Sequence, residues 1–203
     1  MKVLIKHAAL TVVLCVAAVA EQRAIETAEQ EVTIYIQDRA TVPLPVINRA
    51  MSQTSAILES AGIHLVWKRG STTKGNRCRA PIHLVIEKTA PPELRHDVMA
   101  STELSSGDIT VYYDRFWLTA INWPSLASAH LAQVFAHEIG HSLQRLNRHS
   151  DTGIMKARFR SADYHDMQAG LMRFSSEDAD LIRMNATRAC LTTRASAERE
   201  PRP

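Results

Sequence analysis

One short motif limits the structure of this chain more than any other part of its sequence: His137-Glu138-Ile139-Gly140-His141. The motif lies in residues 125–146, where apolar side chains recur with a helical period. Residues four apart share one face of a helix, so both imidazoles can point at the same metal ion. Glu138 lies at the edge of that face, where its carboxylate can reach a water molecule beside the ion. These residue types at this spacing predict a zinc helix that carries two ligands and a general base.

A catalytic zinc site needs a third protein ligand and leaves its fourth position to water. His149 is the best candidate, although it follows His141 by eight residues and a straight helix would carry it away from the ion. The helix is therefore expected to end near residue 146 and the chain to fold back. Asn147 is the residue expected to end it, because Asn tolerates the left-handed conformation that helix ends adopt. The imidazole nitrogens of the three histidines should then converge to within about 4 Å of one another.

The motif and the segment after it resemble the metzincin metalloproteases, which share a zinc helix, a third histidine downstream and a turn that contains Met. In this chain the turn would be Gly153-Ile154-Met155, with Met155 packed beneath the site without binding the metal. The resemblance implies that His137, His141 and His149 bind Zn²⁺. The segment is also similar to a group of secreted bacterial proteins in which H-E-I-G-H and H-S-x-x-G-I-M are separated by a longer spacer.

The spacing departs from the usual metzincin pattern, H-E-x-x-H-x-x-G-x-x-H. Gln144 and Asn147 occupy the positions of its Gly and its last His, and the histidine comes two residues later, at His149. We interpret this difference as a return loop that is two residues longer. Some metzincins also place a Tyr two residues after the Met to stabilise the oxyanion. Here Ala157 stands at that position. Tyr164 could take the role, although a packed or surface Tyr is the commoner case.

Other residues could supply the third ligand instead: Glu177, Asp151, His165 or His130. Glu177 comes into question because the gluzincin class of zinc proteases takes a Glu from a later helix as a ligand. However, Ser175 and Asp178 have the spacing of a capping box, and acidic residues are favourable at a helix start. This cluster therefore predicts the beginning of a helix. The other three candidates are expected at the surface, at a helix start or at the edge of the core.

The first twenty residues are typical of a secretory signal. Lys2 and Lys6 give a positive start, residues 8–20 are apolar, and Ala18-Val19-Ala20 is a small-residue cleavage site. The apolar run is short for a membrane span, so no stable span is expected after the signal is removed. An uncleaved anchor is the alternative. The sequence thus predicts a secreted or periplasmic protein.

Charge and cysteine content limit the partners and the redox setting of the chain. It has 24 basic and 21 acidic residues, and loss of Lys2 and Lys6 with the signal leaves a net charge of +1. Such a balance offers no electrostatic basis for binding nucleic acid. Cys78 and Cys190 remain in the mature chain. In an oxidising compartment they are expected to form a disulfide.

The pattern of the remaining chain predicts an α/β (α+β) fold. Strands are predicted at residues 32–36, 63–67, 82–86, 98–101 and 109–113, and helices at 46–61, 125–146 and 177–189. The metzincin resemblance implies a twisted mixed sheet with an antiparallel edge strand, the zinc helix and a small C-terminal helical subdomain. A peptide or protein substrate could add itself to that edge strand near residues 96–101, that is, near His96.

The predicted organisation has three parts: a signal peptide at residues 1–20, one zinc metalloprotease-like domain at 21–191 and a disordered tail at 192–203. Within the domain, residues 31–146 would form the upper part and residues 147–190 the lower part. The upper part would hold the sheet and the zinc helix, and the lower part the third histidine and the Met turn.

These features together predict a secreted zinc peptidase, in the first place an endopeptidase. Zn²⁺ would polarise a peptide carbonyl and acidify water, and Glu138 would accept the proton and pass it to the leaving amine. Two alternatives stay open: a zinc hydrolase that acts on cell-wall or other amide bonds, and a zinc-binding module without catalysis. Glu138 argues against the module, because a purely structural site needs no general base.

Overall fold

The computed structural model describes residues 31–70, 80–116, 122 and 124–197, and among these the side chains of all but 124 and 190–197. The signal expected at residues 1–20 and Cys78 lie outside the described residues, as does the side chain of Cys190. The disulfide therefore stays a prediction. Among the described residues, no helix is long and apolar enough to cross a bilayer.

One mixed sheet of five strands organises the described chain, in the spatial order β2-β1-β3-β5-β4. The strands are β1 (Glu31–Asp38), β2 (His64–Arg69), β3 (Ile82–Glu87), β4 (Ala100–Thr102) and β5 (Ile109–Tyr112). β1 pairs in parallel with β2 and β3, and β3 pairs in parallel with β5. β4 runs antiparallel to β5 at the edge of the sheet. The prediction of an α/β fold with a mixed sheet is confirmed.

Four α-helices accompany the sheet in the described part of the chain: α1 (Leu44–Ser60), α2 (Pro124–Gln144), α3 (Ser161–Gln168) and α4 (Ser176–Ala197). A short 3₁₀-helix, Tyr113–Phe116, follows β5. α1 packs along α2, where the Thr54 hydroxyl lies 3.3 Å from the carbonyl oxygen of Ala132. α2 also contacts β4, β5, α3 and α4, so it lies at the centre of the molecule.

The two faces of α2 explain how the motif is presented. Phe135, Ile139 and Leu143 recur every four residues and are fully buried in the hydrophobic core. His137 and His141 lie two positions further along, which turns them by about 200° around the helix axis. Burial of the apolar face therefore directs both histidines away from the core, toward the cleft beside β4.

The edge strand differs from its prediction in position. It spans Ala100–Thr102 rather than residues 98–101, because these three residues pair in register with β5, while Met99 only accepts a hydrogen bond from the Tyr112 amide at 2.9 Å. After it the chain turns back, and the backbone amide of Glu103 donates to the carbonyl oxygen of Asp108 at 2.8 Å. Thr102 is thereby part of the strand, which matters for the site described below.

The last two helices also differ from the sequence analysis. α3 was not among the predicted helices, and at its start the Asp163 carboxylate accepts a hydrogen bond from the backbone amide of Arg160 at 2.6 Å. α4 continues to Ala197, into the tail for which disorder was predicted. Ala, Leu and Arg occur in that stretch and are favourable in helices, which gives a local reason for the extension.

Candidate metal centre

Two imidazoles of helix α2 meet at one point. His137 and His141 have their Nε2 atoms 3.0 Å from each other. Nδ1 of His137 donates to the carbonyl oxygen of Ile154 at 2.8 Å, and Nδ1 of His141 donates to that of Leu146 at 2.9 Å. Both acceptors lie beyond the end of the helix, so the returning chain orients both rings.

These hydrogen bonds decide which nitrogen of each ring faces the site. A carbonyl oxygen can only accept, so each Nδ1 carries the proton and each Nε2 presents a lone pair. Two lone pairs 3.0 Å apart repel each other unless a cation lies between them. Zinc–nitrogen bonds at tetrahedral angles would separate the two atoms by about 3.3 Å. Burial lowers the pKa of both histidines, which favours the neutral form that binds a metal. The donor set therefore fits a divalent metal ion.

His149 completes a group of three histidines that can hold a metal ion. Its ring centroid lies 5.3 Å from that of His137 and 5.1 Å from that of His141. The three ligand nitrogens lie within 4.8 Å of one another, somewhat wider than the expected spacing of about 4 Å. His149 is exposed, while the other two are buried or half-buried. The third ligand position is therefore on the open side of the site.

The turn after α2 is made by a residue other than the expected one. The helix ends at Gln144, and Arg145 adopts a left-handed conformation with φ +56°. Its side chain offsets the cost of that conformation by donating to the carbonyl oxygens of Leu104 at 2.6 Å and Ser105 at 2.9 Å. The prediction that Asn147 ends the helix was wrong, because long-range hydrogen bonds outweigh the intrinsic preference of Asn.

A buried carboxylate anchors the loop that carries His149, and sequence reasoning had assigned it only to a helix start. Asp178 is fully buried near the beginning of α4. It accepts hydrogen bonds from Arg148 at 2.8 Å and from Ser150 at 2.7 Å, the two neighbours of His149. Burial would raise the pKa of Asp178, but hydrogen bonds from Ser175 and these two residues outweigh it and leave the pKa below its ordinary value. Ser175 and Asp178, whose spacing predicted a helix start, therefore also belong to this anchor.

The turn Gly153-Ile154-Met155 packs directly beneath the motif. Gly153 has φ +73°, and a Cβ atom there would lie 2.4 Å from the carbonyl oxygen of Arg173. Met155 is fully buried, and a Cβ atom on Gly140 would come within 2.6 Å of its sulfur. The backbone amide of Ser150 donates to the carbonyl oxygen of Met155 at 2.8 Å. This hydrogen bond joins the loop that carries His149 to the Met turn.

Glu138 faces the site from the side of the edge strand. Its carboxylate is buried, and Oε2 accepts a hydrogen bond of 2.6 Å from the hydroxyl of Thr102. Burial raises the pKa of Glu138, while the Thr102 hydrogen bond lowers it in part. A buried carboxylate beside the nitrogens of a candidate metal site is placed to act as a base. Thr102 was not recognised in the sequence, because its role depends on pairing with β5.

A cleft of about 690 Å³ opens over these residues. It is bordered by β4 and the chain before it, by α2 and by residues 156–159 after the Met turn. Tyr164 and Ala157 both line the cleft, and the Tyr164 ring lies edge-on to His130 at 5.2 Å. Tyr164 is half-buried, and its role at the oxyanion stays a prediction.

The other ligand candidates lie apart from the three-histidine group. Glu177 is exposed and pairs with Arg148 at 3.0 Å. Asp151 and His165 are exposed. His130 is buried in the cleft wall, where burial lowers its pKa to about 4. Of the four, Glu177 is at the helix start that the sequence indicated.

Comparison with solved structures finds chains of similar fold, one of which is an archaemetzincin. The crystal structure of archaemetzincin from Methanopyrus kandleri is similar with a TM-score of 0.48 and 15% identity, and the match covers 78% of this chain and 96% of that one. No protein-family model matches the chain. No curated protein sequence matches it.

Proposed function

We propose that this protein is a zinc-dependent peptidase of metzincin type that hydrolyses peptide bonds with Glu138 as the general base. One observation supports the proposal above all. Two Nε2 lone pairs, those of His137 and His141, face each other 3.0 Å apart beside a buried carboxylate, with His149 close enough to join them. A structural metal site would have no use for that carboxylate.

Bound to these three histidines, zinc would supply a Lewis acid that polarises the scissile carbonyl and makes water a better nucleophile. Glu138 then accepts the proton from the attacking water and delivers it to the leaving amine. Thr102 holds one carboxylate oxygen at 2.6 Å, which leaves the other oxygen for the water.

The edge strand is the proposed binding site for the substrate. β4 is the last strand in the sheet, so one of its edges is unpaired among the described strands. An extended peptide can add to such an edge by main-chain hydrogen bonds. The side chain of Thr102 on this strand touches the general base, so a peptide paired with β4 would pass directly over the metal centre. Export by the leader expected at residues 1–20 would place this activity outside the cytoplasm.

The test is zinc content together with hydrolysis of a quenched peptide library by the purified mature protein. We expect about one zinc ion per chain and cleavage within peptides. Glu138→Gln should keep the zinc and lose at least about 99% of kcat/KM, because it keeps the shape and removes the base. His137→Ala should lose both. Full activity in Glu138→Gln would contradict the mechanism.

The same experiment separates the alternatives. Hydrolysis of cell-wall amides with no cleavage of peptides would favour the amide hydrolase. Stoichiometric zinc without turnover of any peptide or amide would favour a binding module. Full zinc content in His137→Ala would contradict the ligand set.

A further inference from the structure

Outside the metal centre, the wall of the cleft contains a guanidinium that has one long ion pair and, among the described residues, no hydrogen bond to a carboxylate. The side chain of Arg115 is only 14% exposed and lines the cleft. Its nearest carboxylate is that of Asp114, 4.0 Å from Nε and too distant for a hydrogen bond. Nη1 donates to Nδ1 of His96 at 3.0 Å, which brings no negative charge. Nε is buried and has no hydrogen-bond partner among the described residues.

Apart from Asp114, the charges near this end of the described cleft do not neutralise Arg115. Asp97 is the only carboxylate besides Glu138 among the described residues that line the cleft, and Arg95 holds it at 2.6 Å. Arg158 also lies near this carboxylate, with its Nη2 atom 3.8 Å from Oδ2 of Asp97. This end of the cleft therefore has more positive than negative charge, and a partly desolvated guanidinium binds carboxylates with charge-assisted hydrogen bonds.

We infer that Arg115 binds a carboxylate of the substrate, so that the protein prefers peptides carrying an acidic group on the side of the cleft where β4 begins. The inference rests on the proposed function. His96, the partner of Arg115, precedes Thr102 by six residues, which spans at most about 20 Å of extended chain. The acidic group therefore lies within about six residues of the scissile bond. It is either an Asp or Glu side chain or the free C-terminal carboxylate of a short peptide.

Paired peptides test the inference on the unaltered zinc enzyme. Quenched peptides that differ only by Glu or Gln, scanned through each position, are compared with both free and amidated C termini. We expect one position, or the free terminus, to raise kcat/KM about tenfold. A preference for Glu at an internal position identifies a side chain, and a preference for the free terminus identifies the terminal carboxylate. Equal kcat/KM for every pair would overturn the inference.

Charge reversal at Arg115 tests the residue itself. Arg115→Glu should shift the preference at the selected position from Glu to Lys, and Arg115→Lys should keep a weaker preference for Glu. A merely structural role would lower activity without inverting selectivity. Arg49→Glu makes the same charge change at an exposed position of α1 outside the cleft, and its preference should match that of the unaltered protein. Melting curves show whether each variant folds. If Arg115→Glu does not fold, the paired peptides on the unaltered protein test the inference instead.

A binding measurement separates failure of this inference from failure of the proposed function. The zinc-loaded Glu138→Gln protein is titrated with the Glu and Gln peptides by fluorescence anisotropy. Tighter binding of the acidic peptide, even with no hydrolysis by the unaltered protein, would support the role of Arg115. Equal binding of the two would overturn it, whether or not peptides are cleaved.

Discussion

A single hydroxyl connects the edge strand to the proposed base. Thr102 donates to Glu138 at 2.6 Å, so the strand that would align the substrate also orients the carboxylate that would activate water. Substrate position and proton transfer are thereby coupled through one side chain. The two imidazole rings of α2 that we propose as metal ligands are oriented in a similar way, by carbonyl oxygens of the returning chain.

Thr102→Val tests this connection. We expect kcat/KM to fall about tenfold, because a hydrogen bond to a charged group is lost from a partly buried site. Zinc content should stay the same, since Thr102 does not touch the histidines in the group. Thr102→Ser keeps the hydroxyl and is the matched control. Steady-state kinetics on one peptide measures both variants, and equal losses in the two would contradict a role for the hydroxyl.

Gly140 shows a packing requirement inside the motif. A Cβ atom there would lie 2.6 Å from the sulfur of Met155 and 3.0 Å from the Phe174 ring. The turn can therefore approach the helix closely only because this position has no side chain. Ala has a higher helix propensity than Gly, so the helix itself would favour a side chain here. A substitution would destabilise the protein through its clash with Met155 and Phe174.

At the level of elements, the start of α4 holds the loop that carries His149. Asp178 bonds to both neighbours of that histidine, so the anchor restricts the loop without touching the metal site. Outer groups of this kind orient ligands and affect metal affinity. The exposed position of His149 makes such support necessary.

Asp178→Asn should therefore weaken zinc binding by about 10- to 100-fold. The isosteric amide keeps the volume but cannot accept all the hydrogen bonds of a carboxylate. Glu177→Gln, at the exposed neighbour that pairs with the same Arg148, is the control and should change affinity little. Competition with a chelating dye measures both affinities. Unchanged affinity in Asp178→Asn would show that the His149 loop needs no such anchor.

α3 is held to the segment after the Met turn by an ion pair whose strength depends on pH. Nζ of Lys156 donates to both carboxylate oxygens of Asp163, at 2.7 and 2.6 Å. This interaction is the main reason why the pKa of Asp163 lies below its ordinary value. Its stabilising effect is fully present above the unfolded pKa of about 3.9. It is lost as the pH falls through the lower folded pKa.

Asp163→Asn should therefore lower the melting temperature at pH 7, and the difference from the unaltered protein should shrink as the pH falls below about 3.9. Both proteins are compared with EDTA present, so that loss of metal at low pH does not contribute. Asp166→Asn, an exposed position on the same helix, is the control. A difference that stays constant with pH would show that the pair contributes nothing through its charge.

For the whole molecule, a metal ion would connect the two parts of the chain that meet at the cleft. His137 and His141 belong to the helix packed on the sheet, and His149 belongs to the loop anchored on α4. A ligand that binds only the folded state stabilises it in proportion to the logarithm of its concentration over its dissociation constant.

Removal of the metal should therefore lower the free energy of unfolding, by about 4 kcal/mol when zinc had been present at a thousand times its dissociation constant. Denaturant unfolding with zinc and with EDTA measures the difference, and added zinc should restore it. In His149→Ala the difference should be smaller, because one ligand is lost. The same unfolding free energy with and without zinc would contradict metal binding by the folded protein.

Local patterns in the sequence were sufficient to predict the strands, every described α-helix except α3, and the two histidines that α2 contributes to the site. The helical period and the four-residue spacing of His137 and His141 predicted one face with two ligands, because such spacing depends only on helix geometry. Alternating and apolar runs predicted the strands, with the edge strand displaced by one or two residues.

Tertiary structure decided the rest. Arg145 makes the turn after α2 because it reaches carbonyl oxygens about forty residues away in sequence, and no local preference indicates this. Thr102 and Asp178 gain their roles from partners 36 and 28–30 residues distant. Arg115 matters because, among the described residues, no carboxylate of the folded cleft lies within hydrogen-bond distance of its guanidinium. Helix geometry acts over a few residues and can be recognised in sequence, whereas hydrogen bonds and burial between distant segments exist only once the chain has folded.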